Sequence, residues 1–195
     1  PPPPFPPGSL LLASSGAAPL SRGPLYFRPS PLAVVCAPQP PLPDVLPPRT
    51  LAVAAHLPYW VCENAKSARA YLKRVNEITP LAHPIQALLI AELPHEVHKK
   101  GDHGGNHDAQ YLLAPAMQGH DMGLLSEAGM PAVADPGSSV VRAAHDLGLE
   151  VVSLIGPASL GLALAASGLS GQDLACVGYL PPDATLRTPR NRQPQ

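Results

Sequence analysis

The sequence predicts an α/β fold, a mostly parallel sheet with flanking helices, followed by the start of a second α/β domain. Three observations carry that expectation. From about residue 59 to residue 180, short apolar runs alternate with segments of helical period, as in a parallel sheet crossed over by helices. Two turns of small residues, SEAGMPAVADPG at 126–137 and GPAS at 156–159, each stand between a strand and a helix. Such places offer backbone N–H groups to a ligand at the carboxyl ends of strands. Finally, the 195 residues are 45% hydrophobic but only 4% aromatic. That supports an aliphatic core for one domain, or one and a half.

The prolines divide the chain. Of 28, 17 fall in residues 1–58 and 11 in the remainder. Residues 1–24 read as a disordered or polyproline-like tail. Leu25, Tyr26, Phe27 and Arg28 form a first strand, 32–48 a Pro-rich connection, and 49–56 a short helix. Tyr59, Trp60, Val61 and Cys62 make a strand bounded by Pro58 and Asn64. The period then turns helical, with Ala65, Ala68, Leu72 and Val75 on one face and Asn64 as N-cap. Residues 85–93 read as a buried strand and 94–107 as a polar loop. Asp108 caps a helix that turns Ala109, Leu112, Leu113 and Ala116 inward and ends at Gly119.

Residues 122–126 are the next strand, and 138–147 a helix with Gly148 at its C′ position. Residues 150–155 are a strand. Residues 158–167 are apolar nearly all round, which predicts a buried helix, and 174–180 are a last strand. The expected division is a domain at 25–155, an incomplete second domain at 156–180, and a disordered tail at 181–195.

Composition excludes several classes. A net charge of −1 and a pI near 6.8 rule out a basic, nonspecific nucleic-acid binder while leaving room for a local patch. Cys36, Cys62 and Cys176 are odd in number and lack C-x-x-C spacing. They indicate neither a disulfide framework nor a zinc site, and they suit a reducing cytosol. No run reaches the length of a membrane span, so no membrane partner is expected.

The 126–137 loop resembles that of the tetrapyrrole methylase family of S-adenosylmethionine (SAM)-dependent methyltransferases, in the branch that acts on small-subunit ribosomal RNA. That branch carries S-D-A-G-x-P-x-x-S-D-P-G, then a helix, a strand and G-P-x-S/A. Here the positions read Ser126, Glu127, Ala128, Gly129, Pro131, Asp135, Pro136 and Gly137, then Gly156, Pro157, Ala158 and Ser159. An upstream signature also matches, through Glu63, Asn64, Ala65, Lys66, Ala68, Arg69, Tyr71, Leu72 and Lys73. The agreement covers roughly residues 25–180. Glu127 and Ala134 replace the commoner Asp and Ser. After the first strand, Ala33 follows Pro29-Ser30-Pro31-Leu32 where the family places a glycine. Of the family's second domain the sequence holds only the beginning.

The resemblance implies SAM as cofactor, with Ser126, Glu127, Ala128, Gly129, Asp135, Gly137, Gly156, Pro157 and Ala158 around it. Asp135 serves equally well as a cap for the following helix. The implied acceptor is a cytidine ribose 2′-hydroxyl in small-subunit ribosomal RNA, or in another branch of the fold a carbon of a tetrapyrrole precursor. A hydroxyl acceptor calls for a general base, and the sequence singles out none. Lys66, Arg69, Lys73 and Arg74 make a basic helix face, either for RNA phosphates or simply solvated. His95, His98, His103 and His107, with Glu96 and Asp102, lack the H-E-x-x-H spacing of a metal helix and read as a loop at the cleft mouth. Two expectations complete the reading: a homodimer, and, as the competing function, a non-catalytic remnant that binds SAM weakly or not at all.

Overall fold

A computed structural model describes residues 22–30, 40–94, 109–133, 136–172 and 174. Five short strands form one all-parallel sheet: β1 (Leu25–Arg28), β2 (Tyr59–Cys62), β3 (Leu89–Glu92), β4 (Met122–Leu125) and β5 (Val151–Ser153). Their order is β3-β2-β4-β1-β5. The chain steps outward from β1 to β2 to β3, returns to the middle for β4, and then passes beyond β1 to β5. The order therefore reverses around β4 and β1, where open parallel sheets leave a crevice at the carboxyl ends.

The core lies on both faces of the sheet, as a parallel sheet requires. Side chains alternate along β2. Tyr59 and Val61 join Leu112, Leu113, Val140 and Ala144 on one face. Trp60 and Cys62 join Leu42, Leu51, Ala54, Leu72 and Val75 on the other. The second face is covered by α1 (Leu42–Val45), α2 (Pro48–His56) and α3 (Ala65–Asn76). The first is covered by a 3-10 turn (Gln110–Leu113) running into α4 (Ala114–Met117), and by α5 (Ser138–Asp146). Gly123 on β4 lies opposite Trp60 in the ladder. A Cβ there would stand 2.5 Å from the indole, so the glycine makes room for a fully buried ring.

Local chemistry sets the ends. Asn64 caps α3 as expected, its Oδ1 accepting from Lys66 N at 2.9 Å and Ser67 N at 3.1 Å. Gly148 takes a positive φ of 65° just past α5. The helix expected at 49–56 begins at Pro48, whose fixed φ suits a first helical position. Part of the Pro-rich connection is itself helical, as α1.

The strand expected over 85–93 is only Leu89–Glu92. Residues Ile85–Ala87 make a 3-10 turn instead. Pairing is the reason: β2 starts at Tyr59, which lies opposite Leu89, so earlier residues have no ladder to join. The strands expected at 122–126 and 150–155 are likewise shortened, to Met122–Leu125 and Val151–Ser153. The helix after Gly156, α6 (Ser159–Ser167), forms but buries none of its residues. Leu160 is 45% and Leu162 59% exposed. This corrects the expectation of a buried helix. Its apolar pattern asks for cover on every side, and the described residues supply no such layer.

Of the tail expected at 1–24, residues 22–24 are described and belong to the fold. Gly23 N donates to Ala116 O at 2.9 Å, and the Arg22 guanidinium donates to Leu147 O. Residues 1–21, the His-bearing segment 95–108, Asp135 and the expected tail 181–195 lie outside the described residues, as does the last strand apart from Leu174. Among the described residues no helix is long and apolar enough to cross a membrane, and no cluster of metal-ligating side chains forms.

Candidate functional site

Both small-residue turns meet at one place, the exit of β1. Ser30 forms an antiparallel bridge with Gly129. Ser30 N donates to Gly129 O at 2.9 Å, and Gly129 N donates to Ser30 O at 3.2 Å. Gly129 has φ of 69°, a left-handed conformation that glycine adopts without cost. The preceding residue, Pro29, packs against Gly156: a Cβ on Gly156 would lie 2.2 Å from Pro29 Cγ. The second turn is held further by Thr50 Oγ1, which donates to Ile155 O at 2.8 Å, and by Leu154 N, which donates to Phe27 O at 2.9 Å. Pro157 and Ala158 are half-buried and lead into α6.

The 126–137 loop is braced from inside. Ser126 is buried, and its hydroxyl donates to Gly129 O at 3.2 Å and to Ala128 O at 3.3 Å. Glu127 N donates to Glu63 Oε1 at 3.0 Å, and Glu127 Oε2 accepts from Ser67 Oγ at 3.1 Å. Two N–H groups of this loop, those of Glu127 and Gly129, are thus used within the fold. Ala132 has φ of 59°, a conformation that costs an L-residue about 1–2 kcal/mol and that collects at ligand-binding turns. Gly137, with φ of 130°, opens α5, and Val141 N donates to its carbonyl at 3.1 Å.

Carboxylates gather where α3 begins. Glu92 Oε1 accepts from Ala65 N at 2.6 Å, alongside the Glu63 and Glu127 bonds. Negative groups suit the positive end of a helix dipole. With that end already served by the protein's own acids, the site favours a cationic or donor-rich ligand over an anion. The same carboxylates bear on Cys62. Burial first, then Glu92 and Glu127, push its thiol up to about 12, against smaller lowering by a backbone bond at Asn64 and by Arg69. A thiol so raised is not a nucleophile near neutrality.

A cleft of about 240 Å³ opens between the carboxyl ends of β1, β2 and β4 and the side of α3. Ser30, Ser67, Tyr71, Arg74, Ser126 and Glu127 are among its lining residues. Ser126 and Glu127, expected at the site, are therefore brought together with Ala128 and Gly129. Gly156, Pro157 and Ala158 stand across β1 from them. Lys66, Arg69 and Lys73 are exposed on α3, while Arg74 donates to Pro40 O at 2.9 Å. Sequence reasoning missed Ser30 and Ala132. Nothing local marks a serine after Pro29 as the partner of a glycine ninety-nine residues on, and no pattern announces a left-handed alanine.

No family model matches the chain. Curated relatives do. Ribosomal RNA small subunit methyltransferase I of Escherichia coli O157:H7 is 39% identical over 80 residues, 41% of this chain and 28% of that protein. The protein of that name from Xylella fastidiosa is 37% identical over 90 residues, 45% of this chain and 33% of the relative. The one from Pseudomonas aeruginosa is 31% identical over 147 residues, 75% of this chain and 46% of the relative. The matches thus span between about a quarter and a half of these relatives' length.

Proposed function

We propose that this chain belongs with the ribosomal RNA small subunit methyltransferase I proteins it resembles and binds SAM in order to methylate small-subunit ribosomal RNA. The observation that carries the reading is the 126–129 loop, locked to β1 through Ser30 and tied to the start of α3 by the Glu127 N–H on Glu63 and the Glu127 carboxylate on Ser67. SAM supplies an electrophilic methyl on a sulfonium sulfur. The chain's own part is to hold that group without rearranging. The Ser126 hydroxyl and the Ser30–Gly129 bridge preset the loop, so little reorganisation remains at the moment of reaction. The Glu127 carboxylate gives a favourable field to positive charge beside it.

The acceptor in this reading is the ribose 2′-hydroxyl of a cytidine. Lys66, Arg69 and Lys73 recur at helical spacing on the exposed side of α3 and meet RNA phosphates, which position a strand without reading its sequence. With a net charge of −1, this contact is a local patch. The working compartment in this reading is the cytoplasm. The apolar surface of α6, left uncovered by the described residues, suits a homodimer, and light scattering that returned a monomer at high concentration would count against it.

A second reading draws on α6, which no described element covers: the chain binds SAM but does not turn over. Methyl transfer from labelled SAM to unmethylated small ribosomal subunits separates the two. Label in the RNA supports the enzyme. Binding of SAM without transfer supports the second reading. Neither binding nor transfer by a folded sample removes both.

A further inference from the structure

A second cavity of about 240 Å³ lies at the amino ends of the strands, the opposite end of the sheet from Ser30 and Ser126. It is lined by Tyr26 of β1, by Ala52, Val53 and His56 of α2, and by Leu57 and Asp121. Leu57 and Asp121 come just before β2 and β4, so the starts of two strands fix their places. The volume falls below the ~300–1,000 Å³ of sites that hold drug-sized ligands, so an occupant is small.

Its walls are of two kinds. Leu57 is buried, Val53 and Tyr26 are half-buried, and together they give apolar surface. His56 and Asp121 stand at the exposed rim. His56 Nδ1 lies 2.8 Å from Ala52 O. A carbonyl oxygen only accepts, so Nδ1 carries the proton and donates. In the neutral ring that leaves Nε2 as an acceptor, and an ionised Asp121 offers acceptors alone. The last turn of α2 also borders the cavity, and the carbonyl end of a helix carries partial negative charge.

The local field has the same sign. Burial first, then Asp121 and Glu150, push the Tyr26 phenol up, against a smaller lowering by Arg49. Burial likewise pushes the Asp121 carboxyl up, against a lowering by His120. The two carboxylates thus outweigh the guanidinium at Tyr26. An anion is repelled here, and an apolar ligand without donors leaves the acceptors unpaired. A cation on a carbon stem satisfies both kinds of wall, since aliphatic stems lie along apolar surface while the charge stays at the rim, and an aromatic face attracts an ammonium.

We infer that this cavity binds an aliphatic ammonium ion, with the carbon stem against Val53 and Leu57 and the charge among Asp121, His56 and the Tyr26 ring. The ammonium has two sources, a free alkylamine or the lysine side chain of a partner. The site stands whether or not the chain binds SAM.

The test is nitrogen-edited NMR titration of the full chain with butylamine, beside butanol and butyrate as neutral and anionic probes of like length. Butylamine is expected to give saturable shifts at Ala52, Val53 and Asp121, with a dissociation constant on the order of 1 mM that rises with salt. Butanol and butyrate are expected to give none. Asp121→Asn is expected to weaken binding about threefold to tenfold. It should keep or raise the melting temperature, because folding strips water from that carboxylate. Ala52→Met, at an exposed helical position, is expected to fill the cavity and abolish the shifts in a folded protein. An Nα-acetyl-lysinamide that binds as well as butylamine assigns the site to a lysine side chain, and one that is excluded while butylamine binds assigns it to a free amine. Shifts that do not saturate, equal shifts with butanol, or binding unchanged in both variants overturns the site.

Discussion

Replacing Gly156 by alanine separates two explanations of that glycine, close packing and ligand approach. The added Cβ would lie 2.2 Å from Pro29 Cγ, 2.6 Å from Pro29 Cβ and 3.1 Å from Leu46 Cδ2. Carbon atoms do not approach so closely, so one side must move. Pro29 is a rigid ring, and its neighbour Ser30 is bonded both ways to Gly129. The other side is tied by Thr50 Oγ1 to Ile155 O and by Leu154 N to Phe27 O. Overpacking of this kind costs about 1–3 kcal/mol. Loss of the Thr50 bond adds about 0.5–1.5 kcal/mol where the turn is the side that yields. For a chain of this length each kcal/mol lowers the melting temperature by about 2–4 °C. Thermal unfolding followed by circular dichroism therefore reads a drop of about 2–18 °C. The same substitution in a Pro29→Gly background should cost at least ~1 kcal/mol less, since the clashing ring atoms are gone. An unchanged melting temperature, with SAM affinity lost, would show that the glycine serves the ligand and that the packing argument is wrong.

Two further outcomes follow from the same side of the sheet. Asn64→Ala removes the acceptor for Lys66 N and Ser67 N and should lower stability by about 1 kcal/mol. In urea titration this appears as a lower midpoint at unchanged slope, and an unchanged midpoint would deny the cap any role. Cys62 has its folded pKa raised from 9.0 to about 12. Its contribution to stability is thus fully present below pH 9 and is lost as pH rises toward 12. In a Cys36→Ser/Cys176→Ser variant, a thiol reagent at pH 8 should label it far more slowly in buffer than in urea, and equal rates would refute the burial.

Much of this fold was legible because its signals are local. The Tyr59–Cys62 run is apolar throughout and becomes a strand buried on both faces. Asn64 is a capping residue standing before an amphipathic helix, and it caps. Loop 126–137 carries enough specific residues to be recognised. The parts that were not legible depend on partners distant in sequence. Residues 85–88 have strand-like composition, yet β2 offers them no ladder. Gly156 resembles a ligand-facing turn glycine, and only the folded chain shows Pro29 against it. Ser30 carries no motif of its own and gains meaning from Gly129. The pattern of α6 states that it needs cover without stating what provides it.

Binding of the methyl donor is the claim on which the rest stands. Isothermal titration of the folded chain with SAM, beside Gly129→Val, tests it most directly. A valine at φ of 69° costs about 1–2 kcal/mol or more in backbone strain, and it pulls the loop off Ser30. The account predicts saturable binding near one to one for the parent chain and an affinity weaker by about tenfold or more in the variant, with circular dichroism confirming that both are folded. No heat from a folded parent chain, or equal affinity in the two proteins, would contradict it.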